Sequence, residues 1–253
     1  MEPRVTSATQ RLPGLSASFP AHNEEDNVGP MIADLLAALP DVADRFEIIV
    51  VDDGSRDATF ARASAIAARE PRVRVVRHEV NRGYGAAVWS GLNAGTLEYA
   101  FFTDGDRQFD VRQIADLVQR LPGHDVVVGY RVNRQDNKIR ILNAHAWNWL
   151  IRTLFHVPVR DVDCAFKLFD RRTLQGLTIE AGGAMFSSEL LARLAARGAR
   201  IVEVPVRHLP REKGNASGGN PRVIARAFYE LFRLYRKLKQ ADAAAGAGAA
   251  KSV

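Results

Sequence analysis

The sequence predicts an α/β protein with a mostly parallel sheet flanked by helices. Between residues 15 and 129, apolar runs typical of buried strands alternate with amphipathic helical stretches, and this alternation indicates strand–helix–strand crossover units. Clusters of Asp, Asn and Gly directly follow the apolar runs, at the strand ends where such sheets bind ligands. The length of 253 residues suits one sizeable domain.

The first half of the chain predicts five strands and four helices. Pro20 should close the first strand and Pro40 the first helix, because proline interrupts backbone hydrogen bonding. Asp57 begins the second helix, and a glycine-rich turn from Asn81 opens the third. The strands are predicted at 15–19, 46–51, 73–76, 97–102 and 125–129. The helices are predicted up to residue 39, at 57–69, from the turn at 81–87 to residue 94, and at 111–121.

After residue 130 the alternation becomes irregular. An aromatic-rich helix is followed by an acidic turn that leads into an apolar strand, and by two further helices and a late strand. These elements are predicted at 139–155, at 161–169 for the turn and strand together, and at 171–177, 187–197 and 200–206. The chain is divided into a loose arm at 1–14, a domain at 15–221, a basic amphipathic helix at 222–240 and a disordered tail at 241–253.

The C-terminal helix carries an apolar stripe that includes Leu231, Leu234 and Tyr235, and six Lys or Arg residues lie around it. This pattern fits a helix lying in the plane of a membrane. It fits equally well a helix that docks its apolar face on the domain.

Composition and charge narrow the possible partners. Lys and Arg outnumber Asp and Glu by 35 to 29, for a formal net charge of +6, which suits a phosphate-bearing ligand, an anionic membrane surface or a nucleic acid. No apolar run approaches the ~18 residues that would span a bilayer, and the N-terminus shows no apolar signal core. The single cysteine, Cys164, excludes an internal disulfide and a cysteine-rich zinc site. A cytoplasmic protein, peripheral on the membrane, is therefore expected.

Two carboxylates, Asp104 and Asp106, follow the fourth apolar run directly. A carboxylate pair at a buried strand end is costly without a counter-charge, and Mg²⁺ or Mn²⁺ prefers oxygen ligands. We therefore expect the pair to bind a metal with a diphosphate, with Gln108 adding an oxygen or orienting a ligand. The alternative is a polar turn in which Asp110 caps the next helix.

The chain resembles family 2 glycosyltransferases of the GT-A fold along nearly its whole length. Gln108 and the segment 129–131 are similar to the branch that includes dolichyl-phosphate mannose synthases. The resemblance fades after residue 205. The motifs that carry it are Pro-Ala-His-Asn-Glu-Glu at 20–25, Val-Asp-Asp-Gly-Ser-Arg-Asp at 51–57, Asn-Arg-Gly-Tyr-Gly at 81–85 and Asp-Gly-Asp at 104–106.

The resemblance implies a donor site along the first strand ends. Glu24 would accept hydrogen bonds from the ribose and Asp53 from the base, while Gly83 and Gly85 would let the backbone approach the donor. Each has a simpler alternative: Glu24 as a charge at a helix N-terminus, Asp53 as a helix cap, and the glycines as a plain turn. The complete donor set is Pro20, Ala21, Glu24, Asp53, Gly83, Gly85, Asp104 and Gly105.

The resemblance also implies a metal site and an acceptor site. Asp104, Asp106 and Gln108 would hold the metal and the donor diphosphate, and Arg131 would bind a phosphate, because guanidinium groups pair with phosphate through two hydrogen bonds. Asp161 and Asp163 stand where many family members place an acceptor-side acid, and they could supply a base if the acceptor is a hydroxyl. In the 211–217 segment the serine comes one residue later than in the family, which puts Ser217 in doubt. The catalytic set is Asp104, Asp106, Arg131 and Asp163, and the acceptor phosphate set is Arg131, Arg211 and Lys213.

The resulting functional hypothesis is metal-dependent, inverting transfer of a sugar to a polyprenyl phosphate from a nucleotide-sugar of the GDP-mannose or UDP-glucose type. An acceptor with a free hydroxyl is the first alternative. A sugar-1-phosphate nucleotidyltransferase is another, although residues 20–25 lack the glycine-rich, lysine-containing loop expected there. A nucleic-acid binder is suggested only by the net charge, and the carboxylates at the strand ends argue against it.

Overall fold

The computed structural model describes residues 10–132, 138–183, 185–210, 230–237 and 239–240. These residues form one sheet of seven strands in the order β3-β2-β1-β4-β6-β5-β7. The strands are β1 (Leu15–Ala21), β2 (Phe46–Asp53), β3 (Val73–His78), β4 (Tyr99–Thr103), β5 (Val126–Val132), β6 (Phe166–Asp170) and β7 (Ile201–Arg207).

Helices cover this sheet and connect its strands. Short 3-10 turns at Leu39–Asp41, Val111–Gln113 and Arg171–Leu174 adjoin them, so the predicted helix at 111–121 begins as a 3-10 turn and the one at 171–177 is only a turn. The helices in the described ranges are α1 (Val28–Ala38), α2 (Thr59–Ala67), α3 (Tyr84–Ala94), α4 (Ile114–Arg120), α5 (Lys138–Phe155) and α6 (Phe186–Ala196), with residues 230–237 and 239–240 forming a C-terminal helix.

The sheet is mostly parallel, as the sequence predicts, and β6 is the exception. It runs antiparallel to both neighbours, with Phe102 of β4 opposite Lys167 and Val128 of β5 opposite the same lysine. Because β6 runs the other way, its amino end lies at the edge where β4 and β5 have their carboxyl ends. The acidic turn before β6 therefore meets the residues that follow β4 at one edge, which we call the catalytic edge.

Aromatic side chains fill the core on both faces of the central strands. Phe101 packs edge-to-face on Phe166 with ring centroids 4.8 Å apart, while Phe102 packs on Phe169 and, at 6.3 Å, on Phe186 of α6. All five are fully buried. Such rings contribute large apolar areas and specific packing, which fixes β4 and thereby the position of Asp104 just beyond its end.

Two sequence boundaries differ from the structure near the N-terminus. Strand β1 continues through Pro20 to Ala21; it pairs with β4 only as far as Ser18, and a proline is tolerated where one side of a strand is unpaired. Residues 10–14 are not part of a loose arm, because Leu12 is buried and its N–H donates to the Val42 carbonyl at 2.8 Å. The remainder of the predicted arm lies outside the described residues.

The C-terminal helix docks on the domain over the residues that the structure describes. Leu231 and Leu234 of the apolar stripe are buried in the core, and the Tyr235 ring packs on Phe155 of α5 at 6.2 Å. This part of the stripe therefore stabilises the domain instead of being free to insert into a bilayer. Within the described residues, no helix has both the length and the apolar character needed to span a membrane. Residues 211–229 and the predicted tail lie outside the described residues.

Candidate active site

Residues from two strand ends and one turn meet at the catalytic edge. Asp104 follows β4, Arg131 lies at the end of β5, and Asp161 and Asp163 occupy the turn before β6. The charges of Asp106, Asp161 and Asp163 act on Tyr84, Lys167 and Arg131 around Asp104. The structure thus brings Asp104 and Asp106, predicted for the metal, together with Arg131, predicted for the acceptor phosphate.

Asp104 is the most perturbed acid of this group. Burial, and then the neighbouring Asp106 carboxylate, raise the pKa of Asp104 to about 7. A hydrogen bond from the Tyr84 hydroxyl and the charges of Arg131 and Lys167 only partly offset these effects. Its Oδ1 atom is buried and has no hydrogen-bond partner within the described part of the chain. A buried acceptor without a partner is costly and suggests that something absent from the chain itself completes it.

The turn after Asp104 contains Asp106 and Gln108, whose hydrogen bonds differ. Arg107 has a positive φ of 60° and its guanidinium donates to Asp34 of α1 at 2.8 Å, so the chain turns sharply and is held there. The Gln108 N–H then donates to Asp106 Oδ1 at 3.1 Å. The Gln108 side-chain amide donates to the Leu209 carbonyl at 3.1 Å. Gln108 therefore anchors the segment after β7, a role that the sequence did not predict.

The residues present fit a divalent cation that keeps part of its coordination shell for substrate. Among the described side chains, four carboxylates at the catalytic edge face two cations, Arg131 and Lys167, which leaves two negative charges when all are ionised. In the part of the chain that the structure describes, no group of three or more His, Cys, Asp or Glu side chains is arranged to hold a metal ion. An incomplete oxygen set is typical of Mg²⁺ and related ions that also bind substrate phosphates, and the orphaned Asp104 Oδ1 is available to such an ion.

Arg131 is held by Asp161 through a two-pronged pair. Arg131 Nε and Nη2 donate to the two Asp161 oxygens, each at 2.7 Å, and the Arg131 N–H adds a bond of 3.1 Å. The pair is almost fully buried, and it raises the pKa of Arg131 above its ordinary range despite the opposing effect of burial. Asp161 is thus committed to orienting a guanidinium. A role for Asp161 as a base toward a hydroxyl acceptor stays a prediction.

Lys167 is a buried cation beneath this edge that sequence reasoning missed. Its ammonium group donates to the Cys164 carbonyl and, at 3.3 Å, to Ser187 Oγ of α6. It also lies 5.2 Å from the Phe102 ring centre. Burial lowers the pKa of Lys167, and the nearby acidic groups oppose that change. Within the run Ala165–Asp170, an isolated lysine among apolar residues was the only sequence signal.

Asp53 supports the glycine-rich turn, and its expected role toward the donor base stays a prediction. Its Oδ1 accepts from the Arg82 N–H at 2.8 Å and its Oδ2 from the Gly83 N–H at 2.9 Å. His78 Nδ1 also contacts Oδ1 at 2.6 Å, and its Nε2 lies 3.0 Å from Ser90 Oγ. This carboxylate is buried, and three groups of the chain already contact its two oxygens.

Glu24 lies on the first strand-end turn, as predicted, but its carboxylate bonds locally to the Asn27 amide at 2.5 Å. This turn is joined to the turn after β2: the Asn23 side chain accepts from the Arg56 N–H at 2.9 Å, and the Glu24 N–H donates to Thr59 Oγ1 at 2.8 Å. The two predicted nucleoside-side turns therefore form one joined surface. A role for Glu24 toward a ribose stays a prediction.

Gly83 and Gly85 lie against another part of the chain, and their expected contact with the donor stays a prediction. The Gly85 N–H donates to the Gly182 carbonyl at 2.9 Å, and the same carbonyl lies 2.7 Å from where a Gly83 Cβ would be. Gly83 also has a φ of 94°, which favours glycine. The close approach belongs to the segment 180–183, which covers the start of α3.

We predict that Gly85→Ala destabilises the protein by about 1–3 kcal/mol. A Cβ at Gly85 would lie 2.6 Å from the Phe186 Cβ and 2.8 Å from the Ala181 carbonyl oxygen, and neither backbone can give way easily. Gly29→Ala in α1 is the matched control, because its nearest neighbour is 3.8 Å away, and it should be neutral or stabilise by about 0.5–1 kcal/mol. Urea unfolding measures both; equal midpoints for the two variants would contradict the packing argument.

Gly105 and the first strand end pack on each other. A Cβ at Gly105 would lie 2.6 Å from the Pro20 carbonyl oxygen and 3.0 Å from the Phe19 ring. Ala21 is buried and pairs with Asp52 of β2. The small residue between the two aspartates therefore lets β4 and β1 end side by side; contact of Pro20, Ala21 or Gly105 with a donor stays a prediction.

Two further residues join the site in the structure. The Tyr84 hydroxyl donates to Asp104, and the charges of Asp163 and Asp106 also act on it. His208 follows β7 and pairs with Phe109, with ring centroids 5.3 Å apart. Both follow predicted strands at their carboxyl ends, and that position was the available signal. Arg211 and Lys213, the predicted partners of Arg131, lie outside the described residues.

Comparison with known proteins agrees with this architecture. Residues 16–193 match the model of the family described as Glycosyl transferase family 2. The chain is 32% identical over 224 residues to a dodecaprenyl-phosphate galacturonate synthase of Rhizobium johnstonii, covering 87% of this chain and 65% of that protein. It is 30% identical to an undecaprenyl-phosphate 4-deoxy-4-formamido-L-arabinose transferase of Edwardsiella ictaluri, covering 83% and 64%. The chain thus spans just under two thirds of the length of these relatives.

A solved structure shows the same fold. Glucosyl-3-phosphoglycerate synthase from Mycobacterium tuberculosis, in complex with Mn²⁺, UDP and glucosyl-3-phosphoglycerate, superposes with a TM-score of 0.62 at 23% identity, covering 89% of this chain and 77% of that one. At this identity the likeness concerns the fold, and it confirms the GT-A type expected from the sequence.

Proposed function

Because the chain belongs to glycosyl transferase family 2, we propose that it transfers a sugar from a nucleotide-sugar to the phosphate of a polyprenyl phosphate. The observation that carries the proposal is the apposition of Asp104 and Asp106 with an arginine that Asp161 holds in place. The first set suits a metal-bound diphosphate and the second an acceptor phosphate. Two relatives named for polyprenyl-phosphate substrates support the choice of acceptor.

The chemistry is a direct displacement at the anomeric carbon. An acceptor phosphate oxygen forms the new bond to that carbon, the bond to the donor diphosphate breaks, and the nucleoside diphosphate leaves with the electron pair. A polyprenyl monophosphate is an anion at neutral pH, so the reaction requires no general base. It requires that the two reactants be held in line.

The chain's own residues position the two reactants. Asp104 and Asp106, with Gln108 nearby, would hold Mg²⁺ or Mn²⁺, which when bound neutralises charge on the leaving diphosphate. Arg131 binds the acceptor phosphate, and Asp161 fixes the plane of its guanidinium. Tyr84 keeps the Asp104 carboxylate oriented. The nucleoside lies on the joined turns that follow β1 and β2.

A hydroxyl acceptor is the second candidate, and Asp163 is the observation that favours it. This carboxylate shares the catalytic edge with Tyr84 and Arg131, where a base for a hydroxyl would be needed. The basic C-terminal helix favours the lipid phosphate. The donor sugar and base stay open between the GDP-mannose and UDP-glucose types.

A screen of nucleotide-sugars tests the proposal. The purified chain is incubated with UDP- and GDP-sugars and Mn²⁺, with a polyprenyl phosphate in detergent or without it, and lipid-linked product and released nucleoside diphosphate are measured. We expect product only with both lipid phosphate and metal. Transfer only to a free hydroxyl, or binding of none of the nucleotides, would refute the polyprenyl-phosphate proposal.

A lipid acceptor also implies contact with a membrane surface. Phe232 on the C-terminal helix is 62% exposed and points away from the docked face, and a side chain of this kind partitions into the interfacial region of bilayers. We predict that Phe232→Ser weakens sedimentation with anionic vesicles by about tenfold, from the apolar area lost. Equal binding of the wild type and Phe232→Ser to anionic vesicles would contradict a specific peripheral surface. Equal binding of the wild type to anionic and zwitterionic vesicles would contradict it as well.

A further inference from the structure

The start of α3 is held from two sides. Asp53 accepts the N–H groups of Arg82 and Gly83, as described above. From the other side, the Gly182 carbonyl accepts the N–H groups of Gly85 at 2.9 Å and Ala86 at 3.4 Å. Tyr84 lies between these two sets of bonds and directs its hydroxyl at Asp104. The position of Tyr84 therefore depends on where the segment 180–183 lies.

A buried carboxylate fixes that segment. Glu189 of α6 is 3% exposed, and its Oε2 accepts the N–H of Glu180 at 3.0 Å and that of Ala181 at 2.7 Å. Its Oε1 accepts from Arg193 Nε at 2.7 Å. Because the carboxylate carries these bonds at once, residues 180 and 181 cannot shift without breaking charge-assisted hydrogen bonds.

The C-terminal helix holds the side chain of Glu180. Arg233 donates to Glu180 Oε2 at 2.8 Å, and Lys237 donates to its two oxygens at 2.5 and 2.6 Å. These two cations are one turn apart, so they form a fork around one carboxylate. Arg236 and Lys239, on the same helix, lie instead over the rings of Phe232 and Tyr235. Of these four cations, Arg233 and Lys237 are the two that bind Glu180 of the domain.

We infer that Glu180 couples the C-terminal helix to the catalytic edge, and that Glu180 and Glu189 are positioning residues for the glycine-rich turn. The helix holds Glu180, residues 180–182 hold the N–H groups of Gly85 and Ala86, and the turn holds Tyr84 on Asp104. Docking or release of the helix then changes how well the edge is ordered for a metal-bound nucleoside diphosphate. Its consequence for nucleotide binding rests on the proposed function.

The test compares two double variants of the same helix with equal loss of charge. Arg233→Gln with Lys237→Gln removes the fork around Glu180, and Arg236→Gln with Lys239→Gln is the matched control. Hydrogen exchange at the amides of Gly85 and Ala86 is measured without membranes or nucleotide. Binding of UDP and of GDP, each with Mn²⁺, is measured by calorimetry. Glu180→Gln serves as a single substitution that leaves the helix charges intact.

We expect exchange at Gly85 and Ala86 to accelerate by about tenfold in the fork variant and in Glu180→Gln, with the control unchanged. The dissociation constant of the nucleotide that wild type binds should rise at least about fivefold in the same two proteins. Exchange that is unchanged in Glu180→Gln, or that rises equally in the control, would overturn the coupling. Faster exchange with unaltered nucleotide affinity would overturn its link to the donor. If wild type binds neither nucleotide, the proposed function fails, and the exchange data still decide the coupling.

Discussion

Asp104→Asn should reduce sugar transfer by about three orders of magnitude and leave the fold intact. The side chain follows the end of β4, where its Oδ1 has no partner within the described residues, so the amide would remove the proposed metal ligand without breaking a bond at that oxygen. Asp106→Asn should lose activity similarly. Asp116→Asn, an exposed acid in the first turn of α4, is the control and should keep wild-type turnover.

The same substitution should stabilise the metal-free protein at neutral pH. Burial and Asp106 raise the pKa of Asp104 to about 7, above its ordinary value of 3.8. The folded state therefore binds this proton more tightly than the unfolded chain, so stability falls as the pH rises between these two values. The amide that replaces the carboxyl group does not titrate in this range. The Tm of the Asp104→Asn variant should exceed that of wild type at about pH 8, and the difference should vanish near about pH 4.

Thermal unfolding in EDTA across this range measures the effect, and turnover with added Mn²⁺ measures the loss of function. Equal Tm values for the two proteins at the upper end of the range would show that Asp104 is not strained in the free protein. Near-normal turnover of both Asn variants with EDTA present would show that the reaction does not use a metal at this pair.

Arg131→Ala should raise the KM for the lipid phosphate or lower kcat by at least about a hundredfold. The guanidinium is mostly buried and is fixed by Asp161. Arg131→Lys should recover little, because an ammonium group cannot reproduce the two-pronged pairing. The KM for the nucleotide-sugar should change far less. Arg172→Ala, an exposed arginine that pairs with Asp170 at the end of β6, is the control.

Asp161→Asn should reproduce the Arg131 defect, and the two changes should not be additive. Asp161 acts through the guanidinium that it orients, so removing it after Arg131 is gone costs little more. Asp163→Asn should lower turnover without removing a limb of the pH–rate profile. If transfer occurs only to a hydroxyl and Asp163→Asn abolishes a basic limb, the acceptor is a hydroxyl and Asp163 its base.

Local patterns in the sequence determined the layers of the fold and where its chemistry lies. Apolar runs and helical periodicity placed the strands of the sheet to within a few residues. The motifs after the strands at 46–51 and 97–102 placed Asp53 and Asp104 at a ligand-facing edge. These features could be predicted because strand burial and strand-end position depend on residues close together in the chain.

The role of each edge residue depended on contacts that a local pattern does not contain. Asp53 and Glu24 have the residue types expected for a donor site, yet the chain uses Asp53 to hold Gly83 and pairs Glu24 with Asn27. Asp161 looked like a base and holds Arg131. In each case the folded chain supplies the partner, either from another element or from the geometry of a turn. The sequence shows that a carboxylate is present, but it does not show whether that carboxylate binds a substrate or an N–H group of the protein.

Only the tertiary structure decided how the two halves of the site meet. The apolar run at 166–170 could pair in either direction, because strand direction is set by neighbours distant in sequence. Its insertion between β4 and β5, antiparallel to both, brings Asp161 and Asp163 to Asp104. The stripe of the C-terminal helix was equally compatible with membrane and domain until Leu231 and Leu234 were found buried. Hydrophobic burial is non-directional. Whether the stripe packs on the domain therefore depends on the apolar surface of the folded domain, which the local sequence does not specify.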